Sequence, residues 1–216
     1  TSIKDLKEQA NKVTSEVTEE GAVLLKNDNN ALPLTNGAKV NLYSSSSVNY
    51  IYSGGGSSFA KKSDFITLKE GLEDSNFKVN EGLWNWYSEN DTYFGDHVSN
   101  TSSDKASYAI KDAKWADITT DAKNAEAEAA IFVLSRYGTE ATDLKFAGGS
   151  ATDYSHGNYL ELSPTEIDVL TNLKALKDAG KVSKIIVLLN SVNQVECDYI
   201  NDPAYGIDAV LWVGVG

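Results

Sequence analysis

The sequence contains no methionine, one cysteine, one arginine, two histidines and three prolines. Each scarcity excludes something. A single cysteine, Cys197, permits neither an internal disulfide nor a cluster of thiolates around a metal. His97 and His156 stand in polar stretches without ligand spacing, so no metal site is expected. No apolar run approaches the ~18 residues of a membrane span, so no membrane partner is expected. Basic residues are outnumbered: 19 Lys and Arg against 31 Asp and Glu leave a net charge of -12. A surface of that sign repels phosphate backbones, which argues against nucleic acid. A translation product begins with Met, so the sequence is expected to be a processed product or a piece of something longer. No signal-peptide pattern is read in it, and the compartment is left open.

What is present fits one globular domain spanning residues 1–216. Ile3, Leu6, Ala10, Val13 and Val17 recur at helical spacing and predict an amphipathic helix over 2–20. Short apolar runs at 22–25, 39–43, 129–135, 184–189 and 209–213 read as strands. Between them, 64–74 shows helical spacing, and 105–127 reads as a polar, alanine-rich helical region. A short helical turn is expected over 195–200. Ser163-Pro164-Thr165-Glu166 is a capping box that opens a helix marked by Ile167, Leu170, Leu173 and Leu176, with Gly180 closing it. Residues 81–104 hold Trp84, Trp86, Tyr87, Tyr93 and Phe94 among Asn, Asp, Ser and Gly. That stretch reads as an irregular, aromatic-rich insertion loop. Strands that alternate with helices and are apolar on both faces predict an α/β fold. It is a three-layer α/β/α sandwich with a mainly parallel sheet.

Ligands of such sheets bind beyond the carboxyl ends of the strands. The loop after Ser135 carries Arg136, Gly138, Glu140 and Asp143, and Arg136 could pair with Glu140 or Asp143 to fix it. A solvated loop with a structural ion pair fits the same residues. Gly54, Gly55, Gly56 and Ser57 form a loop of unusual backbone freedom. It lacks the spacing of a dinucleotide fingerprint and the Lys-Ser/Thr of a phosphate loop, so no cofactor is expected. Trp84 and Trp86 could stack on sugar rings or simply anchor their own segment.

Together these stretches resemble the C-terminal domain of glycoside hydrolase family 3, the family of β-glucosidases and related exo-glycosidases. Gly21 to Asn27 with Leu32-Pro33-Leu34 resembles the family's entry into this domain, and the Gly54 to Ser57 loop its Gly/Ser-rich loop. Arg136-x-Gly138-x-Glu140-x-x-Asp143 is similar to the family's acid/base loop. Leu160-x-Leu162 with the capped helix, then Asn190-Ser191, Val195-Glu196 and 209–216, match the later segments. Ala141 and Glu166 depart from the more usual Gly and Gln.

The resemblance implies a retaining exo-acting β-glycosidase in the full-length parent. Glu140 would be its general acid/base, Arg136 and Asp143 would set the loop, and 54–57 would line the cleft. The Asp nucleophile would stand on an N-terminal barrel domain of the same parent chain, absent from these residues. The substrate would be a β-linked glucoside or oligosaccharide, and the fragment alone is predicted inactive. Two other readings stay open: a non-catalytic carbohydrate-binding module gripping sugar with its aromatic segment, and a flavodoxin-like cofactor domain using the glycine loop.

Overall fold

A computed structural model describes residues 2–53, 65–90, 112–136 and 160–214. Helix α1 (Ile3–Gly21) leads into strand β1 (Val23–Asn27). Strand β2 (Lys39–Tyr43), helix α2 (Leu68–Asp74), strand β3 (Lys78–Val79) and helix α3 (Glu81–Glu89) follow. After them come the short helix α4 (Thr120–Lys123), β4 (Ala127–Arg136), α5 (Pro164–Asp178), β5 (Val182–Ser191) and β6 (Ala209–Trp212). The six strands form one sheet in the order β1-β6-β5-β4-β2-β3. All neighbours are parallel except β1, which runs antiparallel to β6 at the edge.

The two faces of the sheet carry two cores. Tyr43, Ala130, Phe132, Leu134, Ile185, Val187 and Leu189 turn to one side. There they meet Leu83 and Tyr87 of α3 and Val169, Leu170, Leu173 and Leu176 of α5. Val40, Leu42, Ala129, Ile131 and Ile186 turn to the other side, against Ala31, Leu32, Leu34, Leu68 and Leu72. Alternate residues of β4 therefore feed opposite cores, as the two-residue period of a strand requires. Both faces being covered explains why the central strands read as unbroken apolar runs. The expected α/β sandwich with a mainly parallel sheet is what the chain adopts.

Helix α5 begins as the sequence requires. The Ser163 hydroxyl accepts from the Glu166 amide, and the Glu166 carboxylate accepts from the Ser163 amide at 2.7 Å. Its buried stripe is Glu166, Val169, Leu170, Leu173 and Leu176. Ile167, expected on that stripe, is 40% exposed. Gly180 ends the helix at φ +72°, with nothing within 4 Å of where a Cβ would stand. Gly180→Ala should therefore cost about 1 kcal/mol, from backbone conformation alone. A denaturant midpoint at unchanged slope would register it, and an unchanged midpoint would contradict the αL argument.

Three expectations need correcting. Residues 81–89 are not an irregular loop but helix α3. The Asn80 side chain caps it by accepting from Leu83 N at 3.2 Å, and Leu83 and Tyr87, one turn apart, are both buried. Residues 91–104 of the expected insertion lie outside the described residues. The alanine-rich stretch is also less helical than expected. From 112 onward it holds only the 3₁₀ turn Trp115–Asp117 and α4. Its last residue, Ala127, already belongs to β4, where sheet pairing outweighs alanine's helix propensity. The turn expected over 195–200 is a 3₁₀ turn at Asp198–Asn201. Helix α1 is the predicted amphipathic helix and needs no correction; it contains no buried residue, and Ile3 is 77% exposed.

Candidate active site

The parallel strands β2, β4, β5 and β6 end at Tyr43, Arg136, Ser191 and Trp212. Polar side chains gather just there, in an otherwise apolar sheet. Asn190, the penultimate residue of β5, is fully buried. Its Oδ1 accepts from Ile51 N at 2.8 Å and from Ser135 Oγ at 2.8 Å. Its Nδ2 donates to Ile51 O at 3.0 Å and to Gly214 O at 2.9 Å. One amide thus ties the segment after β2 and the segment after β6 to the ends of β4 and β5. Beside it, Trp212 Nε1 donates to Ser191 O at 2.7 Å.

Arg136 closes β4 and is the largest fully buried side chain among the described residues. Its guanidinium forms a two-pronged pair with Glu166, Nη1 to Oε1 and Nη2 to Oε2, each at 2.8 Å. It also donates to Ser135 O at 2.9 Å and Glu161 O at 2.7 Å. Glu166 therefore does two jobs: it caps α5 and neutralises the buried arginine. This partner was not foreseen, since in sequence Glu166 reads only as the third member of a capping box. Glu140 and Asp143, the expected partners of Arg136, lie outside the described residues. Arg136 being the last residue of β4, the segment that carries them leaves the sheet at its carboxyl end. The far stem of that segment is fastened too, since Glu196 N donates to Leu160 O at 3.0 Å.

The glycine loop is bracketed in a similar way. Gly54, Gly55, Gly56 and Ser57 lie outside the described residues, but both flanks are placed. Ile51 is held by Asn190, and the rings of Tyr52 and Phe65 stack with centroids 4.9 Å apart. The two ends of residues 54–64 are thereby drawn together at the carboxyl edge of the sheet. Upstream, Ser44 adopts φ 86° and ψ 143°, a positive φ that disfavours any side chain. The buried turn Ser45–Ser47 follows it.

Trp84 and Trp86 sit on α3, partly buried and packed against the protein's own core. Trp86 meets Tyr87 edge to face at 5.1 Å. Asn190 and Asp112, the latter fully buried beside Ser45, were also unforeseen as site residues. The sequence signals for Asn190 are one amide ending a β-branched apolar run and its place in the Asn190-Ser191 motif, neither of which points to its partners.

The comparisons agree with this architecture. Residues 22–216 match the glycosyl hydrolase family 3 C-terminal domain. Beta-glucosidase A of Butyrivibrio fibrisolvens is 36% identical over 132 residues, 60% of this chain and 15% of that protein. A β-glucosidase of Paenibacillus barengoltzii superposes with a TM-score of 0.69 at 25% identity, covering 93% of this chain and 20% of that one. β-Glucosidase 3B of Thermotoga neapolitana, solved with glucose, superposes with a TM-score of 0.73 at 24% identity. That match covers 98% of this chain and 28% of the other. The chain thus spans less than a third of the relatives it matches. With the fold and the matched residues in agreement, the chain belongs to the C-terminal domain of glycosyl hydrolase family 3.

Proposed function

We propose that this domain supplies the general acid/base, Glu140, to a retaining β-glucosidase whose Asp nucleophile stands on an N-terminal barrel domain of the same parent. A retaining glycosidase needs two carboxyl groups about 5 Å apart, one attacking the sugar and one donating a proton. The donor must keep its proton near neutral pH, which burial under a closing loop can provide. The observation that carries the reading is the buried Arg136–Glu166 pair. It gives the Glu140 segment a rigid origin at the edge of the sheet where ligands of this fold class bind. Asn190 gives the glycine loop a similar anchor, so 54–57 would line the same cleft, with Asp143 helping Arg136 to set the acid/base loop. The substrate is a β-linked glucoside. A non-catalytic sugar-binding role draws less support, because Trp84 and Trp86 pack on the core.

The test uses the full-length parent. Glu140→Ala should slow hydrolysis of glucosides with poor leaving groups by about a hundredfold or more, since such groups need the proton. Good leaving groups should depart almost unhindered. Equal slowing of both would remove Glu140 from the acid role. The 216-residue chain alone should not turn over aryl β-glucosides. Turnover by it, abolished in Glu140→Gln, would overturn the shared site.

A further inference from the structure

Asp112 is enclosed in the protein with an unbalanced set of partners. Oδ1 accepts two backbone hydrogen bonds, from Ser45 N at 3.0 Å and Ala113 N at 2.8 Å. Oδ2 is buried and accepts none. A carboxylate shares its charge between both oxygens, so an orphaned Oδ2 would carry that charge into a buried setting. A protonated Oδ2–H would not.

The neighbouring charges point the same way. Among the described residues, Arg136 from β4 is already taken by Glu166 from α5 in a two-pronged pair. Lys123 from α4 is spent on Trp115 O at 2.6 Å. Asp168, also from α5, accepts from Trp115 N at 2.9 Å. Tyr87 from α3 and Tyr43 from β2 bring phenols, not cations, and both are buried. Burial pushes the Asp112 carboxyl up from an ordinary 3.8 to about 7. The Ser45 and Ala113 amides and the Ser44 hydroxyl oppose that rise, and the Glu166 charge adds to it. Burial, then Asp112 itself, hold the Tyr87 hydroxyl well above its ordinary 10.

The position of Asp112 gives this chemistry a mechanical consequence. Its carboxyl joins the turn after β2, where Ser44 is held at positive φ, to the start of the segment that packs Trp115 on Tyr43, their ring centroids 5.8 Å apart. We propose that Asp112 is a pH-sensitive latch, closed when protonated, that fastens residues 112–118 to the Ser44–Ser47 turn at the carboxyl edge of the sheet. On deprotonation the proton passes to solvent, and the new charge draws water into the seam and loosens it.

The sign follows from linkage. Between the unfolded value near 3.8 and the folded value near 7, the folded chain holds a proton that the unfolded chain has released. Stability therefore declines as pH rises through that window. The melting midpoint of the chain should be lower at pH 8.5 than at pH 5 by about 5 °C or more. Protection of the Ser45 and Ala113 amides from hydrogen exchange, corrected for intrinsic rates, should fall over the same range. Asp112→Asn keeps the acceptor for both amides and replaces the acid proton by a permanent one. It should match wild type at pH 5 and melt above it at pH 8.5. A variant that melts below wild type at both pH values by the same amount would make Asp112 an ordinary paired carboxylate. Should the variant fail to fold, the ¹³C carboxyl resonance of Asp112 in the unaltered chain decides. A titration midpoint near neutrality supports the latch, and one in the usual carboxylate range overturns it.

Discussion

Asn190→Ala is expected to lower the stability of the chain by about 4 kcal/mol. The substitution removes four hydrogen bonds at once. It leaves the Ile51 N–H, the Ile51 and Gly214 carbonyls and the Ser135 hydroxyl without this partner. Each buried orphan costs about 1–3 kcal/mol, partly relieved where water can follow. Ile51, at 2% exposure, gives water little access. Asn190→Asp sharpens the test. A carboxylate can still accept from Ile51 N and Ser135 Oγ, but it cannot donate to the two carbonyls. It should recover less than half of the loss at neutral pH and more in acid, where a protonated oxygen donates again. Urea titration of the three proteins at equal slope gives the values. A loss near 1 kcal/mol for the alanine variant would mean that the strand ends hold their loops by other means.

Arg136→Leu is expected to cost about 3–5 kcal/mol, because it strands a buried carboxylate. Glu166 would keep the Ser163 amide as a donor but lose both prongs of the guanidinium. Arg136→Leu combined with Glu166→Gln should restore part of the stability. Glutamine removes the charge and still accepts from Ser163 N. An additive double variant would deny the coupling. In the full-length enzyme the same substitution should also weaken turnover of glucosides with poor leaving groups, through the displaced origin of the Glu140 segment.

These two residues mark where the sequence stops being readable. The strands β2, β4, β5 and β6 are visible because burial on both faces writes itself as an apolar run. Helix α5 is visible because its cap, its stripe and its terminal glycine are all local. The resemblance to the family rested on short motifs in order, and it pointed to the acid/base loop and the glycine loop. What holds the stems of those loops was not legible. The Arg136–Glu166 pair joins residues 30 apart, and the Asn190–Ile51 bonds join residues 139 apart. Such contacts have no sequence period. Helix α3 was missed for a different reason. Its cap and its two buried positions are local, but two tryptophans among polar residues drew attention to binding. The stripe of α1 marked an amphipathic helix, and no residue of that helix is buried. Amphipathicity names the face that wants cover, not what covers it.

The edge pairing of β1 with β6 has a consequence for how the domain is made. Roughly 180 residues separate the two strands, so on a ribosome β1 waits on the order of ten seconds or more before its partner exists. Through that interval β1 has no strand beside it, while β2, β4 and β5 can already assemble. Val23, Leu24 and Leu25 remain 45–50% exposed even in the finished sheet. The first strand of this sheet to be synthesised is therefore the last to be paired. The segment most in need of a chaperone lies at residues 23–27, far from the candidate acid/base in sequence.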